Sequence, residues 1–301
     1  MASAPRESRS ARPAELEDWL NRRIYHPLAA RLARALLPTG ATPNMVSVAG
    51  ALAVWAAAFA YTALAWPLSA ALGFLCHASW HVVDGADGDL ARLTGKTSPY
   101  GELVDGLCDY AGHVVLYVAL AALLDDALGG LAWLLASASG AAHLVQANHA
   151  ESQRRTYLWW GYGIPWLAQA ERADDEVFHQ RTWLTQVFGS PARFYLYAAR
   201  LMNPGAAAVE AALAREADDP AGLDTLRAIV RGDARASLAY GKLLGPNPRT
   251  LLLGASMALG TPLWFFLAES VALTGLLVLS VRYHARHNRL LAERLRQARR
   301  R

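Results

Sequence analysis

Residues 45–83 contain no Asp, Glu, Lys or Arg, an uncharged run of 39 residues. About 20 apolar residues suffice to cross a hydrocarbon core, so this run predicts two membrane spans. Proline lacks the N–H that a helix interior needs, and Trp66-Pro67 therefore divides the run into one helix at 45–65 and another from 67 into the nineties. A third span is expected at 101–123 and a fourth at 129–150. The last apolar stretch, 250–281, is interrupted only by Glu269. At a rise of about 1.5 Å per residue it makes about 48 Å of helix, too long for one span of a core about 30 Å thick and short for two. Composition agrees with a membrane chain, since 54% of residues are hydrophobic and 18% charged, against about 45–50% and 25% in soluble domains. It excludes disorder, collagen and a disulfide scaffold. Cys76 and Cys108 fall in apolar stretches and read as small buried hydrophobes.

Lys and Arg near span ends collect on the cytoplasmic side, and that bias resolves the last stretch. With six spans and both termini cytoplasmic, the external loops fall at 66–68, 124–128 and 267–271, and none of the 29 Lys and Arg residues lies in them. Five spans would place outside a tail that carries Arg282, Arg286, Arg289, Arg294, Arg296, Arg299, Arg300 and Arg301 against Glu293 alone. The net charge of +4 is then a topology signal that also suits anionic membrane lipids; it requires no nucleic acid. The expected fold is an all-α, multi-pass integral membrane protein with six transmembrane helices. Its parts are a cytoplasmic N-terminal segment (1–41), helices one to four (42–150), a cytoplasmic helical insertion (151–249), helices five and six (250–281) and a basic cytoplasmic tail (282–301). The insertion carries 11 acidic and 12 basic residues, which keeps it out of the bilayer. Residues 1–15 are polar and lack the apolar core of a signal peptide. Leu16, Trp19, Leu20, Ile24, Leu28, Leu32 and Leu36 recur at helical spacing. They predict an amphipathic helix, lying in the membrane interface or packed on the spans, with a kink at Pro27. Tyr157, Trp159, Trp160, Tyr162 and Trp166 read as an aromatic belt past the fourth span.

The chemistry-bearing residues sit where the second span ends and the third begins, in DGADGDLARLTGKTSPYGELVDGLCD, residues 84–109. Asp84 and Asp87 are three apart and Asp105 and Asp109 four apart, so each pair shares one face of its helix. Ionised groups in or near membrane helices are costly and mark function, and four facing carboxylates repel one another unless cations neutralise them. Oxygen donors favour magnesium, calcium or manganese, and two metals about 4 Å apart are a recurrent device of phosphoryl chemistry. Gly88, Ala91 and Gly101 keep side chains out of the crevice, so that a base or a phosphate can approach the backbone. Arg92 offers a fixed cation suited to a diphosphate. Gly95-Lys96-Thr97 is not the end of a P-loop, because the required first glycine would fall at Leu90 and no strand precedes it.

Together these residues resemble the signature of the CDP-alcohol phosphotransferase family, D-x2-D-G-x2-A-R-x8-G-x3-D-x3-D. Every fixed position is matched, by Asp84, Asp87, Gly88, Ala91, Arg92, Gly101, Asp105 and Asp109. Thr42-Pro43-Asn44, ahead of the first span, is similar to the family as well. The resemblance covers residues 42 to about 150, and the last hairpin by topology only. It implies transfer of a substituted phosphate group from a CDP-alcohol, CDP-diacylglycerol above all, to an alcohol acceptor with release of CMP, in phospholipid or related phosphodiester synthesis. It also implies two divalent cations, Mg2+ or Mn2+, on Asp84, Asp87 and Asp105, with Asp109 completing the second site and serving as catalytic base. Asp87, Gly88, Ala91, Arg92 and Gly101 would line the CDP pocket, which faces the cytoplasm, and a homodimer is expected. The acceptor is expected to be a small alcohol, a polyol or a polyol phosphate, for which Arg154, Arg155, Arg249 and Arg282 at cytoplasmic span ends would supply cations. Two readings of other classes stand beside this one. His77-x3-His81, with His113, His143 and His149, suggests a membrane di-iron oxygenase, and the buried acids could instead be the ion path of a transporter.

Overall fold

The structure, a computed structural model, describes residues 13–97, 99–166 and 193–299, so part of the insertion lies outside the described residues. Every regular element among them is a helix. The order begins with α1 (His26–Leu36), α2 (Pro43–Ala63), α3 (Leu68–Thr94), α4 (Pro99–Leu128) and α5 (Gly130–Tyr162). The short helices α6 (Ala206–Ala214), α7 (Pro220–Gly232) and α8 (Ala234–Leu243) follow. The chain ends with α9 (Pro246–Ala258), α10 (Leu263–Leu267) and α11 (Thr274–Ala298), the last two joined by a π-helical turn over Ala268–Leu273. Among the described residues three segments are long and apolar enough to cross a membrane: Pro43–Ala63, Val104–Leu128 and Leu263–Ala298.

Local chemistry sets the boundaries of the first helices. The Thr42 hydroxyl caps α2 by accepting the Met45 N–H at 3.3 Å, with Pro43 in the first turn, where a missing N–H is harmless. The expected break at Trp66-Pro67 is present, through a cis peptide bond. α3 ends at Gly95, whose φ of 66° is a left-handed conformation that glycine adopts freely, while Lys96 N–H bonds the Ala91 carbonyl at 2.9 Å. The fourth apolar stretch runs on as helix to Tyr162, twelve residues into the expected insertion. There Glu151 holds Arg154 and Arg155 at helical spacing, with contacts of 2.6–2.7 Å.

The final turn differs from expectation. Rather than at 267–271, the helix is broken at residues 259–262, where Gly260 has a φ of 83° and Pro262 follows. Glu269 therefore sits within the last long helical segment and is fully buried. Residues 259–262 contain no Lys or Arg, so the charge bias is unaffected by the shift. The sequence signal misled because an isolated Glu in an apolar run reads as a loop, whereas here it has internal partners.

The chain divides into two units, residues 1–136 with 250–263 and residues 137–249 with 264–301. In the first, α2 and α3 approach closely because glycine allows it: a Cβ on Gly73 would lie 2.3 Å from the Tyr61 ring. The part of α9 in this unit runs antiparallel to α3. Trp66 Nε1 donates to the Ala258 carbonyl at 3.3 Å, Gly254 lies against Phe74, and His81 Nε2 pairs with Thr250 Oγ1 at 2.8 Å. α1 packs its small face, Ala29 and Ala33, on Val46, Ala86 and Leu90, while Trp19, Ile24 and Leu28 stay exposed. Pro27 lies in the first turn of α1, and the strain expected as a kink is met by a π-helical turn at Asn21–Tyr25, which relaxes the hydrogen-bond ladder where proline cannot donate.

In the second unit Tyr157 and Trp160 are buried. Arg231 donates to the Gly161 carbonyl at 2.8 Å and stacks on Tyr162 at 5.7 Å. Of the aromatics expected as a belt, Tyr157 and Trp160 are thus covered by protein, while Tyr162 is exposed. The buried Glu269 accepts from Ser139 Oγ (2.5 Å) and Arg249 Nε (3.0 Å) and pairs with His143 Nδ1 (2.8 Å). Arg249 also donates to Gln146 Oε1 at 2.9 Å and to the Leu244 carbonyl. A buried charge is tolerable only when paired and hydrogen-bonded in this way.

Candidate active site

The α3–α4 hairpin builds the site. Asp84 and Asp87 project from α3, and Asp105 and Asp109 from α4. Antiparallel pairing brings Asp84 beside Asp109 and Asp87 beside Asp105, each within side-chain hydrogen-bond reach. One turn further along, Trp80 meets His113, with ring centroids 4.8 Å apart. Asp84, Asp105 and Asp109 each offer one oxygen within 4.8 Å of the other two, and all three are half-buried. Asp87 is outside that trio and more deeply placed, 6% exposed; the Ser47 hydroxyl of α2 donates to its Oδ2 at 2.7 Å. The structure thus brings three of the four expected acids to one point and joins the fourth through Asp105.

This donor set fits a hard divalent cation, because carboxylate oxygens on facing helices offer both charge neutralisation and ligands. Among the described residues it is the one group of three or more His, Cys, Asp or Glu placed to hold a metal ion. The histidines do not form a second. His81 pairs with Thr250, His143 with Glu269, and His149 Nε2 with Ser280 Oγ at 2.7 Å, while His77 and His113 pack edge to face at 5.7 Å. The arrangement gives the di-iron reading no support.

Gly88 and Ala91 follow Asp87 on α3, and Gly101 lies in the first turns of α4. The Arg92 guanidinium reaches back over Gly88, where a Cβ would meet it at 3.4 Å, and forms an ion pair with Asp89. Asp89, outside the signature, therefore anchors the arginine of the signature. Of the arginines expected to serve an acceptor, Arg249 is committed to Glu269 and Gln146, and Arg154 and Arg155 to Glu151. Arg249 in particular is buried, 4% exposed, which removes it from that role.

Sequence reasoning missed two residues that touch the acids. Ser47 holds Asp87, and Trp80 Nε1 donates to Asp109 Oδ1 at 2.8 Å. In an uncharged run a serine reads as a helix-packing residue and a tryptophan as lipid-facing bulk. Their one available signal was helical register, since Trp80 is one turn before Asp84.

Neither the curated proteins nor the solved structures yield a match to this chain. The comparison with protein families does, and the matched stretch contains the whole acid hairpin together with the Thr42 cap and the serine that holds Asp87. Residues 41–161 match the family model for CDP-alcohol phosphatidyltransferase.

Proposed function

We propose that this integral membrane protein transfers a substituted phosphate group from CDP-diacylglycerol to a small alcohol, releasing CMP. The observation that carries the reading is the convergence of the signature acids, three of them within 4.8 Å, inside the matched domain. Asp84, Asp87, Asp105 and Asp109 would hold two divalent cations, Mg2+ or Mn2+, which when bound offset the charge of the donor diphosphate. Gly88, Ala91 and Gly101 leave the crevice open for the cytidine diphosphate, and Arg92, steadied by Asp89, faces its charge. Asp109 takes the proton of the acceptor hydroxyl as that oxygen bonds to the phosphorus bearing the lipid and the bond from this phosphorus to CMP breaks. Six spans would carry the site, with both termini and the insertion in the cytoplasm, and the resemblance adds a homodimer. For the acceptor, a polyol or polyol phosphate remains the proposal, now resting on the family and on Arg282 rather than on Arg249.

CMP release by the purified protein, supplied with Mg2+ or Mn2+, CDP-diacylglycerol and one alcohol at a time, tests the reading. Release that depends on the alcohol supports it and identifies the acceptor. A folded, metal-binding protein that releases CMP with none of a broad panel of donors and alcohols defeats it. The same result would favour a transporter, for which the acids would be an ion path.

A further inference from the structure

We propose that Trp80 is a positioning residue that sets the orientation of the Asp109 carboxylate; the inference rests on the proposed role of Asp109. An indole N–H can only donate, and the buried Trp80 spends it on Asp109 Oδ1 at 2.8 Å. That bond engages one oxygen from the Trp80 side, one turn before Asp84 on α3, and leaves the remaining lone pairs for a cation held together with Asp84 and Asp105. The indole is itself held on several sides. His81 lies 4.6 Å from it and His113 4.8 Å, the latter edge to face. Gly50 of α2 lies beneath, where even a methyl group would touch the ring at 3.5 Å. His81 is tied in turn to Thr250 at 2.8 Å and stacked on Tyr25 at 4.7 Å, and His113 Nδ1 is 2.8 Å from the Asp109 carbonyl.

A tryptophan that served packing alone would need its shape and not its N–H. Here the donor has one geometry and one acceptor, and the acceptor is a carboxylate that the mechanism needs in a single orientation. Hydrogen-bond partners behind metal-binding or reacting carboxylates typically change metal affinity or activity by about 10–100-fold when removed.

The test replaces Trp80 in the full-length protein in two ways. Trp80→Phe removes the N–H and part of the ring, and site-specific incorporation of 3-benzothienylalanine at position 80 keeps the bicyclic shape while exchanging N–H for sulfur. Two quantities are read for each: steady-state CMP release, and Mn2+ binding to the substrate-free protein by electron paramagnetic resonance. Expected for both replacements is a fall in kcat of about tenfold or more, a donor KM within about twofold of wild type, and an Mn2+ dissociation constant raised about tenfold. If the benzothienylalanine protein keeps wild-type kcat and Mn2+ affinity, the indole acts by shape and the proposal is overturned, even where Trp80→Phe fails to fold. Should the wild-type protein release no CMP, the assignment of the reaction fails, and the Mn2+ arm still decides whether the Trp80 N–H orders Asp109.

Discussion

At Asp109 the carboxylate has Asp84 on one side and the Trp80 N–H, at 2.8 Å, on the other. Asn keeps the size and one carbonyl oxygen of Asp but cannot accept a proton at neutral pH. General-base catalysis contributes typically about 10²–10⁴-fold, so Asp109→Asn should lower CMP release by at least about 10²-fold while the detergent-solubilised protein elutes unchanged on gel filtration. Normal turnover in that variant would remove Asp109 from its role. Ser47→Ala tests the neighbouring acid. It takes away the hydroxyl that meets Asp87 at 2.7 Å in a buried setting, and an unsatisfied buried partner costs about 1–3 kcal/mol. A lower thermal midpoint that is recovered by added Mn2+ is the expected result, because a cation on the acids would replace the lost donor. The four acids were legible because i, i+3 and i, i+4 spacing translates directly into a helix face, and Gly88, Ala91, Arg92 and Gly101 joined them through the resemblance to the family signature. Ser47 and Trp80 were not, because nothing local says which helix their polar atoms will meet.

Between elements, the close approach of α2 and α3 depends on a glycine. Gly73→Ala would place a methyl group 2.3 Å from the Tyr61 ring, and overpacking of a close-fitted interface costs about 1–3 kcal/mol. Thermal unfolding should show that loss, whereas Gly130→Ala, with nothing within 4 Å of the added carbon, should leave the midpoint unchanged or raised. The second unit makes a different prediction. Glu269→Ala strands the buried Arg249, and breaking one partner of a buried ion pair costs about 3–5 kcal/mol. Glu269→Gln, able to keep a bond to Ser139 or His143, should lose distinctly less. Equal midpoints for the two variants would show that the charge of Glu269 contributes nothing. The existence of the long helices was readable from their uncharged lengths. The turn at Gly260 was masked because a buried Glu and a loop Glu look alike until Ser139, His143 and Arg249, each at least 20 residues away in sequence, are folded around its carboxylate.

For the whole molecule, the absence of Lys and Arg from the turns at 66–68 and 259–262 predicts that both face away from the cytoplasm. The Trp66 bond to the Ala258 carbonyl places these two turns at the same end of the first unit. In a background lacking Cys76 and Cys108, Gly260→Cys should react with a membrane-impermeant maleimide added outside intact cells, and Arg301→Cys only after the cells are opened. The reverse pattern would invert the topology and put the acid hairpin outside. What the sequence by itself determined was the kind of molecule and the residues on which its proposed chemistry rests: apolar runs of membrane length, a charge bias along the chain, and acids at helical spacing are local or additive properties that need no knowledge of contacts. Only the tertiary structure decided that Asp84, Asp105 and Asp109 converge while Asp87 is held by Ser47, that Arg249 belongs to Glu269, and that Tyr157 and Trp160 near the end of α5 are covered by protein. Each of these depends on which side chains from distant segments meet. A buried charge or hydrogen-bond donor is stable only where a partner completes it, and in this chain the partners come from separate helices.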